Sequence, residues 1–251
     1  MTGVVWADLS WRARASYVAH AFKAVTRQHH TELKPVLAPY IPRDAVVADV
    51  GGHSGQFAKL FSAMAPGGRV YSFEPGAYPR SILQTAIRMR RLNNITVVPK
   101  GLGDKPSTLE LSTPVKVLGS LRFGLAHMGT ADAATGDRAG ESVQSEKVEV
   151  ITLDAFANDV GLTRLDFLKA DIEGWEQRML VGGAATIKRF RPVILIELVN
   201  DHLVRAGDTM DSAWGLLTEM GYTPNRWTAG GKLEPQLEPW EGDTLWLPPT
   251  D

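Results

Sequence analysis

Short apolar runs rich in β-branched residues recur along the chain, and most precede a stretch with helical spacing. "AVVADV" comes before "QFAKLFSAMA", "RVYSFEP" before "YPRSILQTAIRMRRL", and "LDFLKAD" before "GWEQRMLVGGAATIKRF". "NITVVPKGL" and "PVILIEL" are further runs of the same kind. Runs too short for a helix and apolar throughout predict strands buried on both faces. Their alternation with helices predicts one doubly wound α/β domain around a mostly parallel sheet. Near the end, "MGYTPNRWT" and "GDTLWLPP" predict a closing antiparallel pair.

Two segments break the pattern. Leu9 to Leu37 shows helical spacing, and Pro35, Pro39 and Pro42 then fix φ and remove backbone donors, as a linker would. Residues 1–42 are therefore expected to form an N-terminal helical extension, with 43–251 as the main domain. Residues 112–147, rich in Gly, Ala, Ser and Thr, are too long for an ordinary connection. A functional lid or a partly disordered loop is expected across 113–146.

Composition narrows the partners. The chain has 251 residues, a size that suits one large α/β domain. A formal net charge of −1 gives no reason to expect nucleic acid or an anionic membrane as partner. The basic stretch "RMRRLNN" from Arg88 reads as the solvated end of a helix. Cysteine is absent, which excludes disulfides and thiolate chemistry and is compatible with a reducing cytosol. No run approaches the ~20 apolar residues of a membrane span, and the first residues carry acid and aromatics where a signal peptide needs an apolar core. The expectation is a soluble, cytoplasmic protein, with the N-terminal helices as a candidate dimer arm or lid.

The candidate chemistry begins at "VADVGGHSG", residues 47–55. In doubly wound sheets, ligands bind beyond the carboxyl ends of the strands. A dinucleotide loop of the form G-x-G-x-x-G fails here, because His53 stands at the second glycine, and a Walker loop fails for want of Gly-Lys-Ser/Thr. What fits is Asp49-x-Gly51-x-x-x-Gly55, with an acid at the strand end that would repel a pyrophosphate. Glu74, at the end of the next strand, stands where an acid accepts ribose hydroxyls. A ribose and a cation without a phosphate cradle point to S-adenosylmethionine. The plainer alternative makes Asp49 a turn cap and Glu74 a loop acid facing solvent.

On these residues the chain resembles the FkbM family of S-adenosylmethionine-dependent methyltransferases. The resemblance rests on "VADVGGHSGQFA", "VYSFEP", "NNITVVPKGLGDKPSTLEL", "VEVITLDAF", "LDFLKADIEGWEQRMLVGG" and "PVILIEL", in family order. The most specific piece is K-x-D-x-E-G: Lys169, Asp171, Glu173 and Gly174. The family pattern G-A-N-x-G is replaced by Gly52 and His53 in the glycine turn. The resemblance implies a Rossmann-like class I methyltransferase sheet in which Asp49, Gly51, Gly52, His53 and Gly55 surround the methionine end of the cofactor. It implies Glu74 at the ribose and Asp104 near the adenine, although "GDKP" is also an ordinary turn into a hairpin.

Methyl transfer to oxygen needs alignment of the acceptor, worth about 7–11 kcal/mol, and a base, worth on the order of 10²–10⁴-fold. Lys169 and Asp171 fall at the end of the fourth apolar run and share a face if that strand reaches Asp171. They are candidate catalytic groups or, equally, a structural ion pair. Asp171 is also expected to contact the cofactor, and Glu173 reads as an acid in the first turn of a helix. His202, after the fifth run, is a candidate base or a surface histidine. His20, His29 and His30 are expected on a solvated face, and His53 as a wall of the pocket. A divalent metal is not favoured; were one used, Asp171, Glu197 and Asn200 would supply its oxygens.

The leading expectation is an O-methyltransferase acting on a hydroxyl of a sugar, glycan or natural product. Leu121, Phe123, Leu125 and Met128 would roof the acceptor. A non-catalytic binding module with the same sheet is the alternative, and an NAD-dependent oxidoreductase is disfavoured by the missing second glycine.

Overall fold

The computed structural model describes residues 11–115, 127–128 and 142–250. Leu121, Phe123 and Leu125 lie outside the described residues. The N-terminal helix α1 (Trp11–Thr26) is followed by a 3-10 turn (Thr31–Leu33) and the short α2 (Lys34–Leu37). Then come β1 (Val46–Val50), α3 (Gln56–Met64), β2 (Arg69–Phe73), α4 (Ala77–Arg90), β3 (Ile95–Val98) and β4 (Gly101–Leu102). A long hairpin of β5 (Ser107–Val115) and β7 (Ser142–Ile151) carries β6 (His127–Met128) at its edge. The chain continues through α5 (Leu153–Asp159), β8 (Phe167–Ala170), α6 (Glu176–Gly182), α7 (Ala184–Phe190) and β9 (Val193–Leu198). It ends with α8 (Asn200–Ala206), α9 (Met210–Glu219), β10 (Thr223–Trp227), β11 (Leu233–Pro235) and β12 (Gly242–Leu247).

The main sheet has the order β11-β10-β12-β9-β8-β1-β2-β3. β9, β8, β1, β2 and β3 pair in parallel, and β12 joins β9 antiparallel. The strand period of two sends alternate residues to opposite cores. Ala48, Val50, Leu168, Ala170, Ile194 and Ile196 enter a core with α5, α6, α7, α8 and α9. Val47, Phe167 and Leu195 enter the other, with α2, α3 and α4. This is the doubly wound, mostly parallel sheet expected, with β10 and β12 as the antiparallel pair and β11 as an unforeseen third strand.

Four expectations on elements need correction. The helix expected over residues 9–37 stops at Thr26, and His30 at φ 61 turns the chain before α2. Buried Lys59 ends α1 by donating to the carbonyls of Ala24 (2.5 Å) and Arg27 (2.7 Å), a cation at the negative end of the helix. The single helix expected over 174–190 is two, α6 and α7. At the break a Cβ on Gly182 would lie 2.0 Å from the Gly103 carbonyl oxygen, so the backbones meet there. Residues 112–147 are not wholly a loop, since β5 and β7 run through them in a second, four-stranded sheet. His20 is not on a solvated face, for its Nδ1 lies 3.1 Å from the Tyr78 hydroxyl.

The extension docks on the domain. Tyr17 and Ala24 pack near Tyr78, Ile82 and Ala86 of α4, leaving Trp11, Val18 and Phe22 exposed on α1. Among the described residues no helix is long and apolar enough to cross a membrane.

Candidate active site at the carboxyl ends of the strands

Register assembles the first part of the site. Asp49 of β1 stands opposite Ser72 of β2 and Lys169 of β8, a row of three polar side chains on one face of the sheet. All three are buried. Ser72 Oγ donates to Asp49 Oδ2 at 2.8 Å, while Asp49 Oδ1 is buried with no hydrogen-bond partner. Burial pushes the Asp49 carboxyl above its ordinary range, against the pull of Lys169 and the Ser72 hydroxyl.

The glycine turn follows at once. The N–H groups of Gly51 and Gly52 both donate to the Phe73 carbonyl, at 3.1 and 2.9 Å, so the turn folds back over β2. Gly51 has φ 81, and a Cβ there would lie 1.9 Å from the Asp171 carbonyl oxygen; only glycine lets β1 and β8 diverge so closely. His53 takes a left-handed φ of 45, uncommon outside glycine, and the turn uses its backbone. Its N–H donates to Glu74 Oε2 at 2.7 Å, and the Gly76 N–H donates to Oε1 at 2.8 Å. Burial nevertheless raises the Glu74 carboxyl to about 7, the two amides and Arg80 opposing. The His53 ring is exposed at the mouth of the turn.

The β8–β9 side is built from charges. Lys169 Nζ lies 3.3 Å from Asp171 Oδ2, 3.4 Å from the Gly51 carbonyl, and 4.9 Å over the Phe57 ring of α3. Burial opposes its charge, but Asp171 and Asp49 outweigh burial and hold the ammonium above the ordinary lysine value. β8 ends at Ala170, one residue short of Asp171, yet the pair forms across the strand end. Asp171 is held low despite burial, chiefly by Lys169 and by a hydrogen bond with Glu197. Glu197, pushed up to about 8 by burial and then by Asp171, carries the proton of that pair. Asp243 stands directly opposite Glu197 in the β9–β12 register, a like-charge neighbour that adds to the rise.

Glu173 is not in a helix turn as expected. It occupies a tight turn at φ 56 ahead of α6, whose first-turn acid is Glu176. Glu173 Oε2 lies 3.0 Å from His202 Nδ1 at the start of α8. Burial and then Asp171 raise Glu173 to about 7. Burial and Arg205 lower His202, with Asp171, Asp201 and Glu241 pulling the other way. A cleft of about 490 Å³ opens beside this histidine, lined by Val199, Asn200, Asp201, His202, Val204 and Arg205.

The structure thus gathers Asp49, Gly51, Gly52, His53, Gly55, Glu74, Lys169, Asp171 and His202 along one rim. Asp104 is exposed in the turn after β4, its backbone against Gly182. Asp171 meets Glu197, whereas Asn200 is exposed and gives its backbone N–H to Glu241 at 3.0 Å. Among the described residues no group of three or more His, Asp or Glu is disposed to hold a metal ion. Ser72, Phe57 and Asp243 escaped the reading of the sequence, although register with Asp49 and Glu197 would have found two of them. His30, expected in solvent, stacks on Phe57 with ring centroids 4.4 Å apart and so brings the extension to the rim.

The methyltransferase FkbM domain matches residues 49–224. AMB antimetabolite synthetase AmbE of Pseudomonas aeruginosa is 26% identical over 179 residues, which are 62% of this chain and 8% of that protein. The 2-O-methyltransferase NoeI of Sinorhizobium fredii is 22% identical over 163 residues, 59% of this chain and 61% of that protein. The chain therefore spans less than two thirds of either relative. The crystal structure of methyltransferase FkbM from Methylobacillus flagellatus KT matches with a TM-score of 0.50 at 18% identity, covering 94% of this chain and 59% of that one. At that identity the likeness speaks for the fold. The domain match runs from the buried acid of β1, through the glycine turn and the Lys169–Asp171 strand end, into β10, and on it the protein belongs to the FkbM methyltransferase family.

Proposed function

We propose that the protein transfers a methyl group from S-adenosylmethionine to a hydroxyl of a sugar, glycan or natural product. The observation that carries this reading is the rim itself: buried Asp49 and Glu74 flank a glycine turn that contains no lysine or arginine. Such a rim fits a ribose and a cation and does not fit a pyrophosphate. Asp49 Oδ1, buried and without a partner, is a further acceptor for a ligand at the turn. Oxygen as the acceptor atom is supported by the likeness to the 2-O-methyltransferase NoeI.

In this reading Gly51, Gly52, His53 and Gly55 face the methionine end, Glu74 accepts from the ribose hydroxyls, and Asp104 stands on the adenine side. S-adenosylmethionine, when bound, supplies a methyl group on a sulfonium that leaves with the C–S electron pair. Lys169 stays protonated between Asp49 and Asp171 and fixes both carboxylates, so it is not the base. His202 is the base: its lowered pKa keeps the imidazole neutral near pH 7, ready to take the hydroxyl proton. No metal is assigned a part.

Incubation with S-adenosylmethionine carrying a labelled methyl group, against a panel of hydroxylated acceptors, is expected to label oxygen. Label found only on nitrogen overturns the assignment. Calorimetry separates a non-catalytic relative, which would give no heat with S-adenosylmethionine.

A further inference from the structure

We propose that Glu173 is the positioning residue for His202, holding the ring so that Nδ1 keeps its proton toward the carboxylate and Nε2 is left to take the acceptor's proton. The inference rests on the reading of His202 as base and adds a residue to it.

Three observations carry it. His202 Nδ1 lies 3.0 Å from Glu173 Oε2, within the reach of a charge-assisted hydrogen bond. That oxygen is buried and accepts no hydrogen bond, the imidazole lying close to it but out of line, so a small turn of the ring would satisfy an acceptor that is otherwise costly to bury. Glu176 also leaves one oxygen, Oε2, buried without a partner, but its Oε1 accepts the Ile172 N–H at 2.7 Å, and Glu241 Oε1 accepts the Asn200 N–H at 3.0 Å. Glu173 Oε2 takes no such backbone bond and faces an imidazole instead.

The backbone fixes the pair. Glu173 holds a left-handed φ of 56, a conformation that costs a non-glycine residue and persists only where its surroundings impose it. Gly174 follows at φ 106, and a Cβ there would lie 2.2 Å from the His202 carbonyl oxygen. The turn is therefore pressed against the backbone of the very residue whose ring its carboxylate meets. Nε2, on the opposite edge of the ring from Nδ1, remains for the cleft that His202 helps to line. When the acceptor gives up its proton, His202 becomes an imidazolium and Glu173 supplies the matching negative charge. The proton moves from the hydroxyl to Nε2, and Nδ1 keeps its own.

The test is nitrogen NMR on protein labelled at histidine, with the His202 signal assigned by its loss in His202→Asn. Neutral His202 is expected as the Nδ1–H tautomer in the unaltered protein, and as a mixture of tautomers in Glu173→Gln, whose amide can present either a donor or an acceptor. In the same variant kcat is expected to fall roughly 10-fold while KM and the Kd for S-adenosylhomocysteine change less than about twofold, the signature of an orientation lost in the chemical step. An Nε2–H tautomer in the unaltered protein overturns the proposal, with no variant needed. So does a tautomer unchanged in Glu173→Gln. Failure of the unaltered protein to methylate any hydroxyl sinks the reaction, and the tautomer still decides the pair.

Discussion

The two halves of the rim bury acid in different ways. At β1–β2, Glu74 is met by backbone amides of His53 and Gly76, and Asp49 by the Ser72 hydroxyl. At β8–β9, Asp171, Glu197, Glu173 and Asp243 are met by other titratable groups: Lys169, His202 and one another. Backbone donors cannot change charge, so in the first half only the carboxylates themselves titrate against otherwise fixed partners. Side-chain partners can exchange protons, so the second half can redistribute charge during a reaction. In the proposed function, binding and chemistry are separated along one sheet edge, and Gly51 joins them.

Breaking the joint is expected to give the largest effect. In Gly51→Ala the new Cβ would stand 1.9 Å from the Asp171 carbonyl oxygen, so β1 and β8 must part. A loss of more than ~4 kcal/mol in chemical denaturation, or failure to fold, is expected. A variant that keeps both stability and cofactor affinity would show that the halves are not mechanically joined there.

Next comes the charge in the second half. Lys169→Met leaves buried Asp49 and nearby Asp171 without their cation, and a loss of about 3 kcal/mol is expected. Urea titration measures it, and full stability in the variant would mean that the carboxylates neutralise one another at no cost.

The first half should show its character in pH. Glu74 is raised to about 7, and in the proposed function its ionised form accepts the ribose hydroxyls best. Cofactor affinity is then complete above this value and falls as pH drops through it, by at most ~tenfold per unit. Calorimetry across pH 5.5–8.5, about three units, spans the transition, and affinity that rises on acidification would make Glu74 a neutral donor. The smallest effect belongs to Glu176, raised to about 7 by burial. Its fold favours the protonated acid, so its contribution to stability is present at low pH and is lost as pH rises from the ordinary glutamate range to about 7. Above pH 7, Glu176→Gln should therefore melt at or slightly above the unaltered protein, within about 1 kcal/mol; a clearly lower Tm would refute this.

The first half was largely legible in the sequence, because an apolar run ending in an acid and breaking into glycines encodes a local geometry. Asp49, Gly51 and Glu74 stand where that pattern puts them. The second half was legible only as a roster. Asp171 and Glu197 sit on different strands, and their shared proton depends on β8–β9 pairing and burial, neither of which spacing records. Glu173 reads as a helix acid because it lies only three residues before the true start of α6 at Glu176, and only the closeness of Gly174 to His202 shows the turn. The hairpin of β5 and β7 was obscured by its small polar residues, which weaken the alternation that marks a strand.

The docking of α1 has a consequence for biogenesis. Tyr17 reaches the Ser81 carbonyl and the Thr85 hydroxyl, 64 and 68 residues further along the chain, and Lys59 must be in place to receive the end of the helix. Translation adds ~5–20 residues each second, so α1 leaves the ribosome several seconds before α4 can cover it. For that interval the face of α1 that carries Tyr17 and Ala24 awaits the α4 surface on which it packs. The extension is made before the surface that receives it, so its docking waits on translation of α4.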